Sequence, residues 1–261
     1  MSSSEYLYFF ERIFVFLIIK YLVVFGGAYV LLWKIFPKLF FHFKIQQISR
    51  RPTAIANEIK FSLITILIQA LFLTWLFLGS KHGLFKLHSG FVSRGYATEV
   101  VGFFGYFILY DTYFYWTHRW MHEKWLYKHV HQIHHRSLNP TPLASFSFHP
   151  IEAVINLFYM LPFVYFFPIS YQLFAVLLVL TDIGNLAGHI GYEFIPENLY
   201  QSRFGNWITT PTHHNLHHQF SKSNFGLYWI GWDKIFKTLN PKTVDEFHRI
   251  KNQKVFASKL I

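Results

Sequence analysis

The stretch Ile13–Phe36, IFVFLIIKYLVVFGGAYVLLWKIF, is an apolar run in which Lys20 and Lys34 are the only charged residues. A helix that spans a bilayer needs about 20 predominantly apolar residues, so this run is long enough to cross a membrane. Pro37 follows directly, and proline cannot continue a helix because it lacks the N–H group and its ring clashes with the preceding turn. The chain is therefore predicted to contain a membrane helix that ends at this proline.

Further apolar stretches follow along the chain. Phe61–Leu78 carries no charged residue, and Val100–Thr117 carries one. The last stretch, 154–188, is divided by Pro168 into two pieces, of which the first is too short to cross a bilayer alone. We therefore expect a helical hairpin there. The sequence predicts a single all-α, integral-membrane domain, 1–261, with about four transmembrane helices, one pair of which forms the hairpin.

The composition supports a membrane protein over a soluble one. Hydrophobic residues make up 52% of the chain and charged residues only 14%, against about 25% charged residues in globular proteins. The 24 Lys and Arg outnumber the 13 Asp and Glu. Because these basic residues lie between apolar runs, they favour an anionic membrane surface over nucleic acid, and no nucleic-acid partner is expected.

The distribution of basic residues predicts the orientation. Six lie from Lys34, near the end of the first apolar run, to Lys60, just before the second, and three lie in the next connection. The positive-inside rule then places the first connection in the cytoplasm and the N-terminus outside. Counting onward, 118–150 and 189–261 form a cytoplasmic helical cap, which includes the C-terminus.

Histidines are concentrated in this predicted cap. Twelve of the 16 histidines lie between His118 and His218, and the chain has no cysteine, so nitrogen or oxygen must hold any metal ion. Three clusters have the spacings H-x3-H, H-x2-H-H and H-x2-H-H, and they comprise His118 and His122; His131, His134 and His135; and His214, His217 and His218. At about 100° per residue, each cluster presents its imidazoles on one side of a helix.

The clusters can share one site only if the chain changes direction between them. An unbroken helix from His118 would turn His131–His135 to roughly the opposite side. We therefore expect the helix to bend or restart near Tyr127–Val130.

The number of imidazoles indicates two metal ions. A single catalytic zinc needs three protein ligands and an open position, and this chain offers far more. Zinc and iron suit imidazole equally well. Two irons beside an apolar cavity would allow oxidation of an unactivated C–H bond in a lipid, for which side chains have no redox chemistry of their own.

Two other functions are compatible with the composition. A membrane zinc-dependent hydrolase of lipids or peptides would be expected to carry H-E-x-x-H, but His122-Glu123 has no histidine at 126. A metal-binding or transport protein without catalysis would be expected to carry polar residues through several spans, whereas here they cluster at one end.

Two carboxylates lie in apolar segments on the same helix faces as histidines. Asp111 precedes His118 by seven residues, and Asp182 is aligned with Asn185 and His189 at spacings of three and four. Because intramembrane carboxylates are costly and usually functional, we expect each to accept the free N–H of a metal-bound imidazole. The alternative is a hydrogen bond between helices.

The ordered histidine motifs around a hydrophobic hairpin resemble the fatty acid hydroxylase/sterol desaturase superfamily of integral-membrane diiron enzymes. Residues 148–152, FHPIE, are similar to its H-P-x-E element, and 185–191, NLAGHIG, are similar to its N-x-x-G-H-x-G element. Asn224-Phe-Gly226 and 232–236, WDKIF, resemble its closing motifs. The resemblance covers roughly 104–239, and such motifs are specific together rather than singly.

The resemblance implies a diiron centre with O2 as co-substrate, in which zinc can substitute for iron in purified protein. The implied ligands are His118, His122, His131, His134, His135, His189, His214, His217 and His218. Family members on the fatty-acid side have a tenth histidine at the position of Asn185, which here would coordinate through its amide oxygen or a water, or leave a metal position open. His149 is expected to support a ligand or line the substrate site rather than coordinate. Lys237 stands where the closing motif usually has glycine.

These observations predict a diiron membrane oxygenase that hydroxylates or desaturates a sterol or fatty-acyl lipid. Because no nucleotide fingerprint or cysteine is present, electrons are expected from a reductase with a small haem or ferredoxin carrier. The small size and the absence of cysteine favour a bacterial plasma membrane, with the endoplasmic reticulum as the location in a eukaryote.

Overall fold

All the regular elements in the described part of the chain are helical. The computed structural model describes residues 3–47, 52–91 and 93–258, with side chains up to Gln253. The helices are α1 (Ser3–Ile35), α2 (Pro52–Lys81), α3 (Tyr96–Met121), α4 (124–135), α5 (Pro150–Phe158), α6 (Met160–Phe166), α7 (Tyr171–His189), α8 (Glu197–Tyr200), α9 (Pro211–Phe220), α10 (Gly231–Ile235) and α11 (Thr243–Ser258). The prediction of an all-α protein is confirmed.

Three of these helices, α1, α2 and α7, are long and apolar enough to cross a membrane. Helix α1 starts ten residues before the predicted segment 13–36, and α2 extends beyond 61–78 at both ends. Helix α3 covers the predicted segment 100–117 but does not qualify with them, because its tyrosines, Glu99 and Asp111 lower its mean hydropathy. Helices α5 and α6 form a shorter apolar pair.

The segment 154–188 forms the predicted hairpin. Its turn packs against the connection between α2 and α3, where Lys86 N donates to Val164 O at 2.9 Å and His88 N donates to Ile169 O at 3.2 Å. Helix α5 begins after His149 and α7 ends at His189, so both open ends of the hairpin carry histidines. The turn therefore lies at the end of the bundle opposite the histidine clusters.

Aromatic rings fill the core below the histidines. Tyr110 and Tyr159 stack with ring centroids 3.9 Å apart, and Tyr106 lies edge-on to Tyr159. The Tyr106 hydroxyl hydrogen-bonds to Tyr159 Oη and lies 2.7 Å from Thr181 Oγ1. These contacts join α3, α5–α6 and α7 and satisfy hydroxyls that would be costly to bury unpaired.

The expected change of direction between the first two clusters is present. Helix α3 ends at Met121, and α4 starts at Lys124 with the extended Glu123 before it. Tyr127–His131 then forms a π-helical turn, in which the wider hydrogen-bonding pattern shifts the rotational position of the residues that follow. The restart and the π turn together direct His131–His135 back toward His118.

Candidate metal centre

The nine histidines of the predicted ligand set lie together in two groups. The five-histidine group contains His118, His122, His131, His135 and His217. The four-histidine group contains His134, His189, His214 and His218. Within each group the nearest ring nitrogens all lie within 4.8 Å of one another. Both H-x2-H-H motifs contribute to both groups, so neither motif forms a site of its own.

The Nε2 atoms point toward the middle of each group. In the five-histidine group, His118 and His131 have Nε2 atoms 3.1 Å apart, and those of His135 and His217 are 3.0 Å apart. In the four-histidine group, Nε2 of His189 lies 3.3 Å from that of His134 and 3.2 Å from that of His214. Convergence of one nitrogen from each of several rings is the arrangement that imidazole ligation requires.

In three of the five rings of the five-histidine group, the opposite nitrogen has a carbonyl or carboxylate acceptor outside the group. His118 Nδ1 lies 3.0 Å from Phe225 O, and His217 Nδ1 lies 2.7 Å from Ser223 O. His131 Nδ1 lies 2.7 Å from Glu152 Oε1. Because a carbonyl or carboxylate oxygen can only accept, Nδ1 must carry the proton in these rings and Nε2 must carry the lone pair.

The Nδ1 atoms of the four-histidine group have fewer hydrogen-bond partners. His189 Nδ1 donates to the backbone carbonyl of Asn185 at 2.8 Å, and His134 Nδ1 donates to Ser147 O at 3.3 Å. His218 Nδ1 is buried without a hydrogen-bond partner. The described residues place no carboxylate on a ring of this group.

The cap imidazoles are in the form that binds metal. Burial, followed by the influence of neighbouring imidazoles, lowers the pKa well below its ordinary value for His131, His134, His135, His214, His217 and His218. These rings are therefore neutral at pH 7, as ligation requires. Without a cation, several lone pairs would face one another at about 3 Å, so the donor set fits a metal ion in each group.

A cavity of about 290 Å³ lies against the histidines. Its lining includes members of both groups, namely His118, His131, His134, His189 and His214. Phe114, Phe146, Leu157 and Met160 contribute to its apolar walls. Its size is at the lower end of ligand pockets, which measure about 300–1,000 Å³.

The expected roles of Asp111 and Asp182 are wrong. Asp111 Oδ1 accepts from the backbone N–H groups of Tyr228 and Trp229, at 2.8 and 3.2 Å, rather than from an imidazole. Asp182 forms an ion pair with Lys20, with Nζ and Oδ2 2.7 Å apart. Both carboxylates join distant segments, because the side of a helix that faces a histidine also faces other neighbours.

Two other candidates contact the centre indirectly or lie outside it. His149 belongs to neither histidine group and is not among the described residues that line the cavity; its Nδ1 accepts from Ile151 N at 3.2 Å and caps α5. Asn185 lines the cavity, and its side-chain amide donates to Ser145 O at 2.6 Å. Its backbone carbonyl, rather than its side chain, orients His189.

Among the described residues, the carboxylate that contacts a ring of the two histidine groups is Glu152, which the sequence had not indicated for this role. The H-P-x-E motif was the available signal, because Pro150 starts α5 and brings Glu152 onto its first turn. Asp233 is a second missed residue. Its two oxygens accept from Phe225 N and Gly226 N, at 2.9 and 2.8 Å, and so hold the loop whose Phe225 carbonyl orients His118.

The backbone geometry at Lys237 explains why the closing motif usually has glycine at this position. This residue has φ 55°, in the left-handed region that glycine adopts at the lowest cost. Thr238, the next residue, donates from its hydroxyl to Asp233 Oδ1 at 2.7 Å. The turn at 237 therefore supports the loop behind the five-histidine group.

Comparison with known proteins gives one family match and several similar enzymes. Residues 103–238 match the model of the fatty acid hydroxylase family. Human lathosterol oxidase is 30% identical over 217 residues, which cover 80% of this chain and 70% of that protein. A Delta(7)-sterol 5(6)-desaturase of Gibberella zeae is 29% identical over 216 residues, covering 81% of this chain and 65% of that protein.

Another relative, matched over a shorter part of this chain, is named for a different enzyme activity. A very-long-chain aldehyde decarbonylase of Oryza sativa is 29% identical over 141 residues, covering 52% of this chain and 23% of that protein. No solved structure matches the chain.

Proposed function

This chain belongs to the fatty acid hydroxylase family, and we propose that it uses two iron ions and O2 to desaturate or hydroxylate a sterol-type lipid. It is an oxidoreductase of the sterol desaturase and fatty acid hydroxylase type. The observation that carries the finer proposal is the convergence of nine imidazoles into two groups that both border one cavity.

Each histidine group would hold one ion through its Nε2 atoms. Bound iron would supply the redox chemistry for cleaving an unactivated C–H bond, which side chains lack. The histidines orient and hold the ions, and Glu152 with the loop carbonyls fixes the tautomer of the five-histidine group. His134, His189 and His214 border the cavity, so lipid carbon atoms there would lie beside the four-histidine group.

The cavity would hold the lipid and exclude water from it. Its walls are mainly aromatic and aliphatic, and it lies between helices that are apolar enough for a membrane. The names of the relatives favour a sterol over a free fatty acid as the first substrate to test. Hydroxylation and desaturation both begin with removal of hydrogen from carbon, so the same site serves either outcome.

The remaining parts of the proposal concern the membrane and the electron source. The relatives named above are eukaryotic, which favours the endoplasmic reticulum over a bacterial plasma membrane. We place the N-terminus outside and the histidine cap with the C-terminus in the cytoplasm, as the basic residues indicate. A reductase with a small haem or ferredoxin carrier would then deliver electrons from the cytoplasm.

Metal analysis and lipid analysis together test this function. Protein purified from iron-supplied cells is expected to hold about two irons per chain, in keeping with two separate imidazole sets. Cells that express it are expected to accumulate a desaturated or hydroxylated sterol. His134→Ala and His217→Ala, one from each group, should abolish this product because each removes an ion ligand.

His129→Ala is the matched control. His129 is exposed, and its Nδ1 bonds to Trp125 O outside both groups, so its removal should leave the product unchanged. Zinc as the bound metal, with hydrolysed lipid and no oxygen consumption, would replace this proposal with the hydrolase. Full activity in either ligand variant would show that the ligand set is wrong.

A further inference from the structure

We propose that Thr65 and Gln69 on α2 bind a hydroxyl group of the lipid substrate. The inference rests on the proposed function in one respect, namely that the cavity beside the histidines is where the substrate lies. It adds the chemical class of the substrate's polar end, a neutral hydroxyl, and the place where that end is bound.

Thr65 and Gln69 are buried polar residues, and each has a side-chain oxygen without a hydrogen-bond partner. Thr65 is 5% exposed and Gln69 is 7% exposed, and both line the cavity. Thr65 Oγ1 and Gln69 Oε1 form no hydrogen bond with any described residue. The great majority of buried polar atoms in proteins form a hydrogen bond, and an unpaired one lowers the free energy of unfolding. Two such atoms in one cavity wall indicate a polar group on the ligand.

Other hydroxyls on α2 are satisfied within the protein. Thr74 Oγ1 donates to Ala70 O at 2.7 Å, and Ser80 Oγ donates to Leu76 O at 2.9 Å, each one turn back along the same helix. Ser62 Oγ donates to Leu143 O at 2.8 Å. Thr65 could bond to its own helix in the same way as Thr74 but does not, which leaves its hydroxyl available to the cavity.

The two atoms are placed so that one ligand group can reach both. Residues four apart on a helix have Cβ atoms about 5–6 Å apart on the same face. Asn156 on α5, which packs against α2, also lines the cavity with an unpaired Oδ1. The site therefore combines amide oxygens, which only accept, with a threonine hydroxyl, which can also donate.

This set of atoms matches a hydroxyl better than a carboxylate. A lipid hydroxyl can donate its proton to Gln69 Oε1 and accept from Thr65 Oγ1 at the same time. An ionised carboxylate can only accept, so it would meet the amide oxygens without a proton to share. Two carboxylates already line the cavity, Asp182 in contact with Lys20 and Glu152 in contact with His131, and both would repel an ionised carboxylate. A neutral alcohol is the lipid headgroup that fits.

The subsite lies on the membrane side of the histidines. Glu58, at the cap end of α2, accepts from Ser137 Oγ at 2.7 Å, two residues after His135. At 1.5 Å per residue, Thr65 and Gln69 lie about 10 and 16 Å farther along the helix. The lipid would therefore bind with its hydroxyl away from the histidines and with the carbon to be oxidised toward them.

Binding of matched lipid pairs tests the inference. The probes are radiolabelled 5α-cholestan-3β-ol and 5α-cholestane, which differ only in the hydroxyl, measured with the purified protein in lipid nanodiscs. The wild-type protein should bind the alcohol about tenfold more tightly, the order expected for one or two net hydrogen bonds. Thr65→Val and Gln69→Leu should each remove most of this preference without weakening binding of cholestane.

Thr74→Val is the matched control, since it removes a buried hydroxyl from the same helix away from the cavity and should keep the preference. Thr65→Val should also melt at the same or a higher temperature than the wild type, because an unpaired polar atom is replaced by a methyl group of the same shape. Weaker alcohol binding in a protein that is no less stable cannot come from misfolding.

The outcomes separate this inference from the proposed function. Equal binding of alcohol and alkane by the wild type, or an unchanged preference in both variants, would overturn the hydroxyl subsite even if the enzyme is active. A clear preference in a protein without iron or product would support the subsite and overturn the oxygenase. Octadecan-1-ol against octadecane forms a second pair, and a preference found only there assigns the subsite to a straight-chain alcohol.

Discussion

The five-histidine group and the four-histidine group are built from the same motifs but are held differently. In the five-histidine group, Glu152 and the carbonyls of Ser223 and Phe225 accept from His131, His217 and His118. In the four-histidine group, the His218 Nδ1 atom has no partner and no described carboxylate contacts a ring. The first group is fixed from outside by several segments, whereas the second relies mainly on its own helices.

The two groups also differ in their relation to the cavity. Three of the four members of the smaller group line it, against two of the five in the larger group. The smaller group therefore combines fewer donors with closer contact to the cavity. In the proposed diiron centre, one ion site would be shaped for stability and its neighbour for access, although both would use imidazole alone.

The largest effect is expected from Glu152, which contacts the five-histidine group and has no described counterpart at the four-histidine group. Glu152→Ala should weaken iron binding in the five-histidine group by about 10–100-fold, because loss of such a partner leaves the ligand ring free to turn. Iron content per chain should fall by about half, since the four-histidine group has no such contact to lose. Metal analysis after dialysis against a chelator measures this.

Glu152→Gln provides the control for Glu152→Ala. Its amide oxygen can still accept from His131 Nδ1, so it should retain more iron than the alanine variant. Loss of both irons at the same rate in Glu152→Ala would show that the two groups are not independently supported.

A smaller effect is expected from completing the four-histidine group. Asn185→His places an imidazole one turn before His189 at the cavity wall, and the backbone carbonyl that orients His189 is retained. An added ligand should slow the loss of iron from this group to a chelator by about tenfold. The rate of loss, followed by absorbance of the chelate, is the measurement.

Asn185→Ala serves as the comparison for Asn185→His, since it removes the side-chain bond to Ser145 without adding a donor. Equal rates in both variants would contradict the idea that the four-histidine group is short of a ligand.

The smallest effect concerns the turn that supports the five-histidine group. Lys237→Gly should raise the free energy of unfolding by about 1 kcal/mol, because a non-glycine residue in the left-handed region is strained. Thermal unfolding in detergent measures the change. Lys234→Gly, within α10, should lower stability by at least as much, because glycine is unfavourable inside a helix and the change also removes the hydrogen bond from Lys234 Nζ to Asn206 O. A lower melting temperature for Lys237→Gly would refute this explanation.

The sequence predicted the helices and the metal-site histidines better than it predicted which side chains contact each other. The apolar runs identified α1, α2 and the hairpin, and the spacing of the histidines identified eight of the nine members of the two groups, to which the family resemblance added His189. The roles of Asp111 and Asp182 were wrong because helical spacing shows which residues share a face but not what that face meets. Glu152 was missed as the partner of His131 because its role depends on α5 lying beside α4.

By itself, the sequence determined that this protein is helical, suited to a membrane and rich in imidazoles at one end, since periodicity and composition act over a few turns of chain. Tertiary structure alone decided how those imidazoles divide, sending His134 to one group and His131 and His135 to the other. It also decided which oxygens orient them and left Thr65 Oγ1 and Gln69 Oε1 unpaired in the cavity wall. The physical reason is that these contacts depend on how distant helices pack, which no local pattern encodes.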